Sequence, residues 1–200
     1  MVVCGVMIEE DKIPRLKALG VKDSKLLTPK KREFLFEKIK NTAKDHKIIV
    51  ISPKEVDGYL QTDHLNLNKL EAQKMAEIIN SLDPDKTILD CPSNNIKAYE
   101  DYLKKHLKDK NKEVIAEHKA DFRYIIVAAA SILAKVTRDN EIKKIKEKIG
   151  IEFGSGYPSD PRTVKFLNEN WDKYPSIFRK TWISYKNVLQ SQKQKSLEEF

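Results

Sequence analysis

The chain has 200 residues, 40% of them hydrophobic and 34% charged, with a net charge of +8. That length suits one domain with a small extension, and the apolar share is enough to build a buried core. Cys4 and Cys91 are the two cysteines; they lie 87 positions apart, which matches no zinc spacing.

In chain order, the apolar run Val2–Ile8 predicts a buried strand. It lacks a basic flank and is too short for a signal peptide or a membrane span, so an intracellular, cytoplasmic protein with reduced cysteines is expected. Ile13–Leu19 predicts a short helix closed by Gly20. Thr28-Pro29 predicts a capped helix start, with Leu35, Phe36, Ile39 and Ala43 forming a stripe to about Asp45. Lys47–Ser52 predicts a strand, and Ser52-Pro53 starts another helical turn. Asn66–Leu82 predicts a longer helix ended by Pro84. Thr87–Cys91 is a strand, Asn95–Leu107 a helix and Glu113–Glu117 a strand. Asp121–Ile149 predicts one long helix broken by Gly150. Pro161–Trp171 and Pro175–Gln190 predict two more helices, followed by a polar tail. Strands alternating with helices predict an α/β domain with a covered sheet.

The positive charge is clustered. Residues 22–48 hold nine Lys or Arg against four Asp or Glu, and residues 161–200 hold eight against four. Two basic segments flanking an acid-bearing middle suit a polyanion gripped from both sides, and solvated helix faces account for them as well.

Four segments carry candidate chemistry. Asp90 ends the strand Lys86-Thr87-Ile88-Leu89, where ligands of open α/β sheets gather; it suits a hard cation, or it caps the following helix. Asp121 opens the segment Asp121-Phe122-Arg123-Tyr124, which runs into Ala128-Ala129-Ala130-Ser131. Capping by itself explains an acid at a helix start. Asp121, Ala128 and Lys135, seven apart, would share one stripe with Ser131 beside it, leaving room for a phosphate. The alanines are read as packing residues and Lys135 as a phosphate or carboxylate partner. Tyr157 lies in Gly154-Ser155-Gly156-Tyr157-Pro158-Ser159-Asp160-Pro161, either stacking on a sugar or base or anchoring the loop in the core. Ser24 and Lys25, in Asp23-Ser24-Lys25, put a hydroxyl and an ammonium before a basic helix, as a phosphate contact does; a polar capping loop explains Ser24 but explains Lys25 less well.

In this order and wording the segments resemble ribonuclease HII of the archaeal type, from Met1 to about Tyr185, with Thr181-Trp182 also fitting. The resemblance implies a ribonuclease-H-like mixed sheet flanked by helices over residues 1–150, a helical C-terminal extension over 151–190 and a tail over 191–200. It implies an endonuclease of RNA–DNA hybrids that also cuts 5′ of ribonucleotides in duplex DNA, as in ribonucleotide excision repair and DNA replication. Asp90 and Asp121 would be catalytic metal ligands for two Mg²⁺ or Mn²⁺ ions, and the products would be a 3′-hydroxyl and a 5′-phosphate. Ser24 and Lys25 would touch the substrate backbone, and Tyr157 would pack at the RNA–DNA junction.

The family pattern also begins with a strand ending in Asp-Glu-Ala-Gly-Arg-Gly. It supplies two further carboxylates and a loop that reads the ribose 2′-hydroxyl. These 200 residues contain no such segment. The resemblance therefore implies that the first, central strand is missing, which leaves inner strand edges unpaired. The chain is expected to be the incomplete record of an active enzyme and, as written, to cut little or nothing. The alternative is a non-catalytic hybrid-binding module.

At the C-terminus, Gln194, Leu197 and Phe200 fit the Gln-x-x-Leu-x-x-Phe core of sliding-clamp-binding peptides, without a second aromatic after Phe200. One helical turn would put Leu197 and Phe200 on the same face for an apolar groove. A short motif also arises by chance in a disordered tail. A monomer is expected.

Overall fold

The computed structural model describes residues 1–62 and 64–198, without the side chains of residues 192, 193 and 195–198. The chain divides into two compact units, residues 2–50 with 66–138, and residue 1 with 51–65 and 139–200.

In the first unit, β1 (Val2–Met7) pairs antiparallel with β2 (Asp45–Val50), placing Val3 opposite Ile49 and Met7 opposite Asp45. Between them run α1 (Ile13–Ala18) and α2 (Pro29–Thr42). Thr28 caps α2 as its sequence predicts, its hydroxyl accepting the Lys31 amide, with Pro29 in the first turn. Later, β3 (Lys86–Asp90) pairs parallel with β4 (Glu113–Glu117). A parallel pair needs a crossover, and α5 (Ile96–Lys105) provides it. The mixed parallel and antiparallel pairing fits the expected ribonuclease-H-like sheet.

Two apolar clusters hold this unit. One joins Cys4 of β1, Leu16, Leu35 and Ile39 to Ala128, Ala129, Ile132 and Leu133. The other joins α4 (Leu67–Leu82) to β3, α5 and β4 through Ala72, Ala76, Leu89, Leu103 and Val114. Leu35 and Leu103 are completely buried, so truncating either to Ala removes about 2–5 kcal/mol of stability.

In the second unit, α3 (Pro53–Leu60) opens with a capping box. The Glu55 amide donates to the Ser52 hydroxyl at 3.2 Å, and the Ser52 amide donates to the Glu55 carboxylate at 2.8 Å. Farther along, α8 (Pro161–Asn170) and α9 (Ile183–Glu198) share a cluster of Leu167, Tyr185 and Val188.

Most element boundaries shift by one or two residues from the periodicity, the strand expected over Lys47–Ser52 running Asp45–Val50, and two elements differ more. The expected helix 121–149 is two helices, α6 (Ala120–Arg123) and α7 (Ile125–Ile149), separated by Tyr124 in an extended conformation. The Tyr124 hydroxyl donates to Glu117 at 2.8 Å, and this tertiary bond holds the break. The expected helix from Pro175 begins only at Ile183. Asp57 of α3 intercepts the preceding segment: it accepts the Lys180 amide at 2.8 Å, the Thr181 amide at 3.0 Å and the Thr181 hydroxyl at 2.6 Å. Burial opposes ionisation of Asp57, but these donors prevail and hold its carboxyl below the usual range. At the other end, α9 runs on through residues read as a tail.

Candidate functional site

Asp90 is the last residue of β3, with its side chain exposed beyond the strand end. Its Oδ1 accepts the Ala120 amide at 3.0 Å. Ala120 is fully buried, and Lys119 before it has a left-handed backbone (φ 57°) that turns the chain sharply into α6. Asp90 therefore does cap a helix, but the helix is the one that carries Asp121. Both carboxylates line one cavity of about 960 Å³.

Lys25 meets Asp121 from the other side, Nζ to Oδ2 at 3.6 Å. The lysine side chain is 81% exposed and the aspartate only 12%, so the pair adds little stability but leaves a cation at the rim of the site. The turn bearing Lys25 is built from below. Ser24 is buried and its hydroxyl shares a hydrogen bond with Ser131 of α7 at 2.9 Å. Arg32 of α2 donates to the Ser24 and Leu27 carbonyls, and Asp23 accepts the Lys25 amide. Ser24 thus faces the protein, while Lys25 faces outward.

The break at Tyr124 changes the reading of the helical stripe. Asp121, Ala128 and Lys135 do not share one helix. The residues of α7 that line the cavity with Asp121 are Ile126, Val127, Ala130, Ser131 and Ala134, whereas Ala128 and Ala129 are buried in the core as packing residues. Lys135 is half-buried on α7 and is not part of the cavity lining.

The cavity has a specific shape. One wall is the whole of β1 and the opposite wall the whole of β3. Among the described residues, β1 pairs only with β2 and β3 only with β4, so each strand turns an edge without a partner strand into the same space. The Thr87 hydroxyl of β3 is buried with no hydrogen-bond partner among the described residues, and such orphans are rare in folded proteins. The slot is walled by two strand edges and ends at two carboxylates.

Sequence reading missed Glu71 of α4. It lines the same cavity, and burial together with the nearby negative charge of Asp90 raises its carboxyl to about 7. The signal was there: Glu71 shares a helical stripe with Met75 and Ile78, an acid on an apolar face. It also missed the brace around α6. Tyr124 and Arg123 both donate to Glu117, at 2.8 and 2.7 Å, and hold its carboxyl below the usual range.

Asp90 and Asp121 are hard oxygen donors of the kind Mg²⁺ and Mn²⁺ take. In number they fall short. Among the described residues, no group of three or more His, Cys, Asp or Glu could hold a metal ion.

Tyr157 belongs to the second unit. Its loop is fastened by Asp160, which accepts the Ser155 amide at 2.8 Å, and by Thr163, which accepts the Gly156 amide at 2.9 Å. Gly154 has φ +82°, and a Cβ there would lie 2.5 Å from the Asp160 carboxylate, so this position requires glycine. The Tyr157 ring is 40% exposed on this rigid loop rather than packed in the core. Of the tail motif, Gln194 is exposed on α9, while the Leu197 side chain and Phe200 lie outside the described residues. No helix among the described residues is long and apolar enough to cross a membrane.

The protein-family model for ribonuclease HII matches residues 1–185. The ribonuclease HII of Pyrococcus horikoshii is 46% identical over 193 residues, covering 94% of this chain and 85% of that protein. The crystal structure of ribonuclease H2 from Pyrococcus horikoshii OT3 superposes with a TM-score of 0.82 at 42% identity, covering 96% of this chain and 98% of that one. The ribonuclease HII in the PCNA complex from Archaeoglobus fulgidus superposes with a TM-score of 0.80 at 38% identity, covering 94% and 86%. A carboxylate at the end of β3 bracing the turn that bears a second, on α6, is thus set in a fold and a sequence shared along almost the whole chain, and the chain belongs to the ribonuclease HII family, endonucleases that hydrolyse the RNA strand of RNA–DNA hybrids.

Proposed function

We propose that this protein cuts RNA–DNA hybrids, and duplex DNA 5′ of embedded ribonucleotides, at Asp90 and Asp121, and that the site is complete only when an extended strand fills the slot between β1 and β3. The observation that carries this reading is the slot itself, with two strand edges that have no partner strand among the described residues and two carboxylates at its end. A strand ending in Asp-Glu there would add two carboxylates, so that four could hold two Mg²⁺ or Mn²⁺ ions. Such ions supply activation of water and stabilisation of the leaving 3′-oxygen, consistent with 3′-hydroxyl and 5′-phosphate ends.

The chain's own residues bind and orient. Asp90 holds α6 in place through the Ala120 amide, which sets the position of Asp121. Lys25 offsets negative charge at the rim and can exchange Asp121 for a phosphate. Ser24 sets the turn beneath Lys25, and Tyr157 offers an aromatic face to the sugar or base at the RNA–DNA junction. Both cysteines are free and buried, which supports a reducing, cytoplasmic setting. The Archaeoglobus fulgidus relative was solved with PCNA, and together with Gln194, Leu197 and Phe200 this supports a sliding clamp as partner.

The lack of a three-ligand metal group among the described residues favours a second reading, a hybrid-binding module without catalysis. The test compares the 200-residue chain with one extended at its N-terminus by a strand ending in Asp-Glu, on a duplex holding one ribonucleotide. Cutting by the extended protein alone, dependent on Mg²⁺ or Mn²⁺, supports the catalytic reading. Equal cutting by both refutes the strand requirement, and binding without cutting by both supports the module.

A further inference from the structure

We propose that Phe122 is a nucleotide-stacking platform beside Asp121, a substrate-binding residue in addition to Lys25 and Tyr157; this rests on the nucleic-acid reading of the site given above. Phe122 follows Asp121 directly, and its ring is 74% exposed. Single exposed apolar residues are ordinary on protein surfaces. Phe122 differs in how firmly its backbone is held. Its own amide donates to the Lys119 carbonyl at 3.0 Å. On one side, the Ala120 amide is tied to Asp90 at 3.0 Å and Ala120 is completely buried. On the other side, the Tyr124 amide donates to the Ala120 carbonyl at 2.8 Å, and the Arg123 and Tyr124 side chains are both bonded to Glu117. The chain thus spends five hydrogen bonds to fix a four-residue turn that points one carboxylate into the cavity and holds an aromatic ring in solvent next to it.

The surroundings fit a nucleic-acid strand. Lys25 stands across Asp121 at the rim of the acidic site, and Lys119 and Arg123 lie close to Phe122 in sequence, Arg123 being paired with Glu117. A cation anchors the phosphate, and a fixed aromatic face takes the base or sugar beside it, whatever the base identity. With the backbone already fixed in the free protein, only the two side-chain torsions of Phe122 remain to be ordered on binding. An aliphatic residue of similar size would cover apolar surface there but offer no planar face.

The test measures binding of the 200-residue chain to an RNA–DNA hybrid carrying 2-aminopurine at successive positions, in EDTA. Wild type should quench the probe at one or two adjacent positions. Phe122→Ala should weaken binding about ten-fold and abolish that quenching. Phe122→Tyr should restore both, and Phe122→Leu should restore neither in full. The slope of affinity against salt should be unchanged in all three variants, because no phosphate contact is lost. Wild-type affinity and quenching in Phe122→Ala, or full recovery in Phe122→Leu, would overturn the stacking role while leaving the nucleic-acid reading intact. A wild-type chain that fails to bind the hybrid at all would overturn both. Because the ring is exposed, thermal unfolding of the variants should match wild type, and a lowered midpoint would assign Phe122 a structural role instead.

Discussion

Asp90 accepts the backbone amide of Ala120 at 3.0 Å, across 30 positions of chain. Through this bond the carboxylate at the end of β3 fixes the turn that presents Asp121. The two acids are therefore coupled mechanically, and a change at Asp90 displaces its partner. Substitutions at Asp121 are the cleaner probe of chemistry, because its carboxylate makes only the exposed ion pair with Lys25 among the described residues.

In a protein completed by the Asp-Glu strand, Asp121→Asn should reduce cutting below detection. Hybrid affinity should stay within about two-fold, since the change removes a charge and leaves the shape. Single-turnover cleavage and fluorescence anisotropy separate the two. Survival of cutting would reduce Asp121 to a helix-opening residue.

Tyr157→Ala should act on selectivity. Loss of a stacking face of this kind weakens a base or sugar contact by about 1–3 kcal/mol. The preference for a ribonucleotide at an RNA–DNA junction over one inside a continuous RNA strand should fall accordingly. A uniform loss on every substrate, together with a lower melting temperature, would show that the tyrosine only anchors its loop.

Glu71 predicts a pH dependence of stability. Its folded carboxyl is raised from 4.5 to about 7 by burial and by Asp90, so ionisation penalises the folded state. The penalty is absent below the unfolded value, grows between the two values and is complete above the folded one. Its size is at most about 3 kcal/mol. In EDTA, Glu71→Gln should therefore be more stable than wild type at alkaline pH, with the advantage disappearing as pH falls through that window. Chemical denaturation across the range tests this, and parallel curves for the two proteins would refute it.

The tail motif predicts clamp binding. Wild type should titrate a sliding clamp, and a Leu197→Ala, Phe200→Ala double variant should not, while both retain the same activity on a short duplex. Tethering raises local concentration at DNA without altering the site. Equal binding by both proteins, or by neither, would refute the motif.

Sequence by itself determined the local elements and two of the acids of the site, Asp90 and Asp121. Strand β1, helix α2 with its Thr28 cap, helix α4 and strand β4 are legible because apolar periodicity and capping residues act within a few positions. What only the tertiary structure decided were relationships across long stretches of chain. Tyr124 breaks a helix that its neighbours would continue because Glu117, seven residues back, takes its hydroxyl. Asp57 delays α9 from 123 positions away by accepting the Lys180 amide. Ser24 turns inward because Ser131 is there to meet it. Phe122 looks in sequence like one more apolar residue at a helix start, and only the folded turn leaves it in solvent. Local propensity amounts to tenths of a kcal/mol per residue, whereas a buried or charge-assisted hydrogen bond contributes about 1–3 kcal/mol, so where the two compete the distant partner wins.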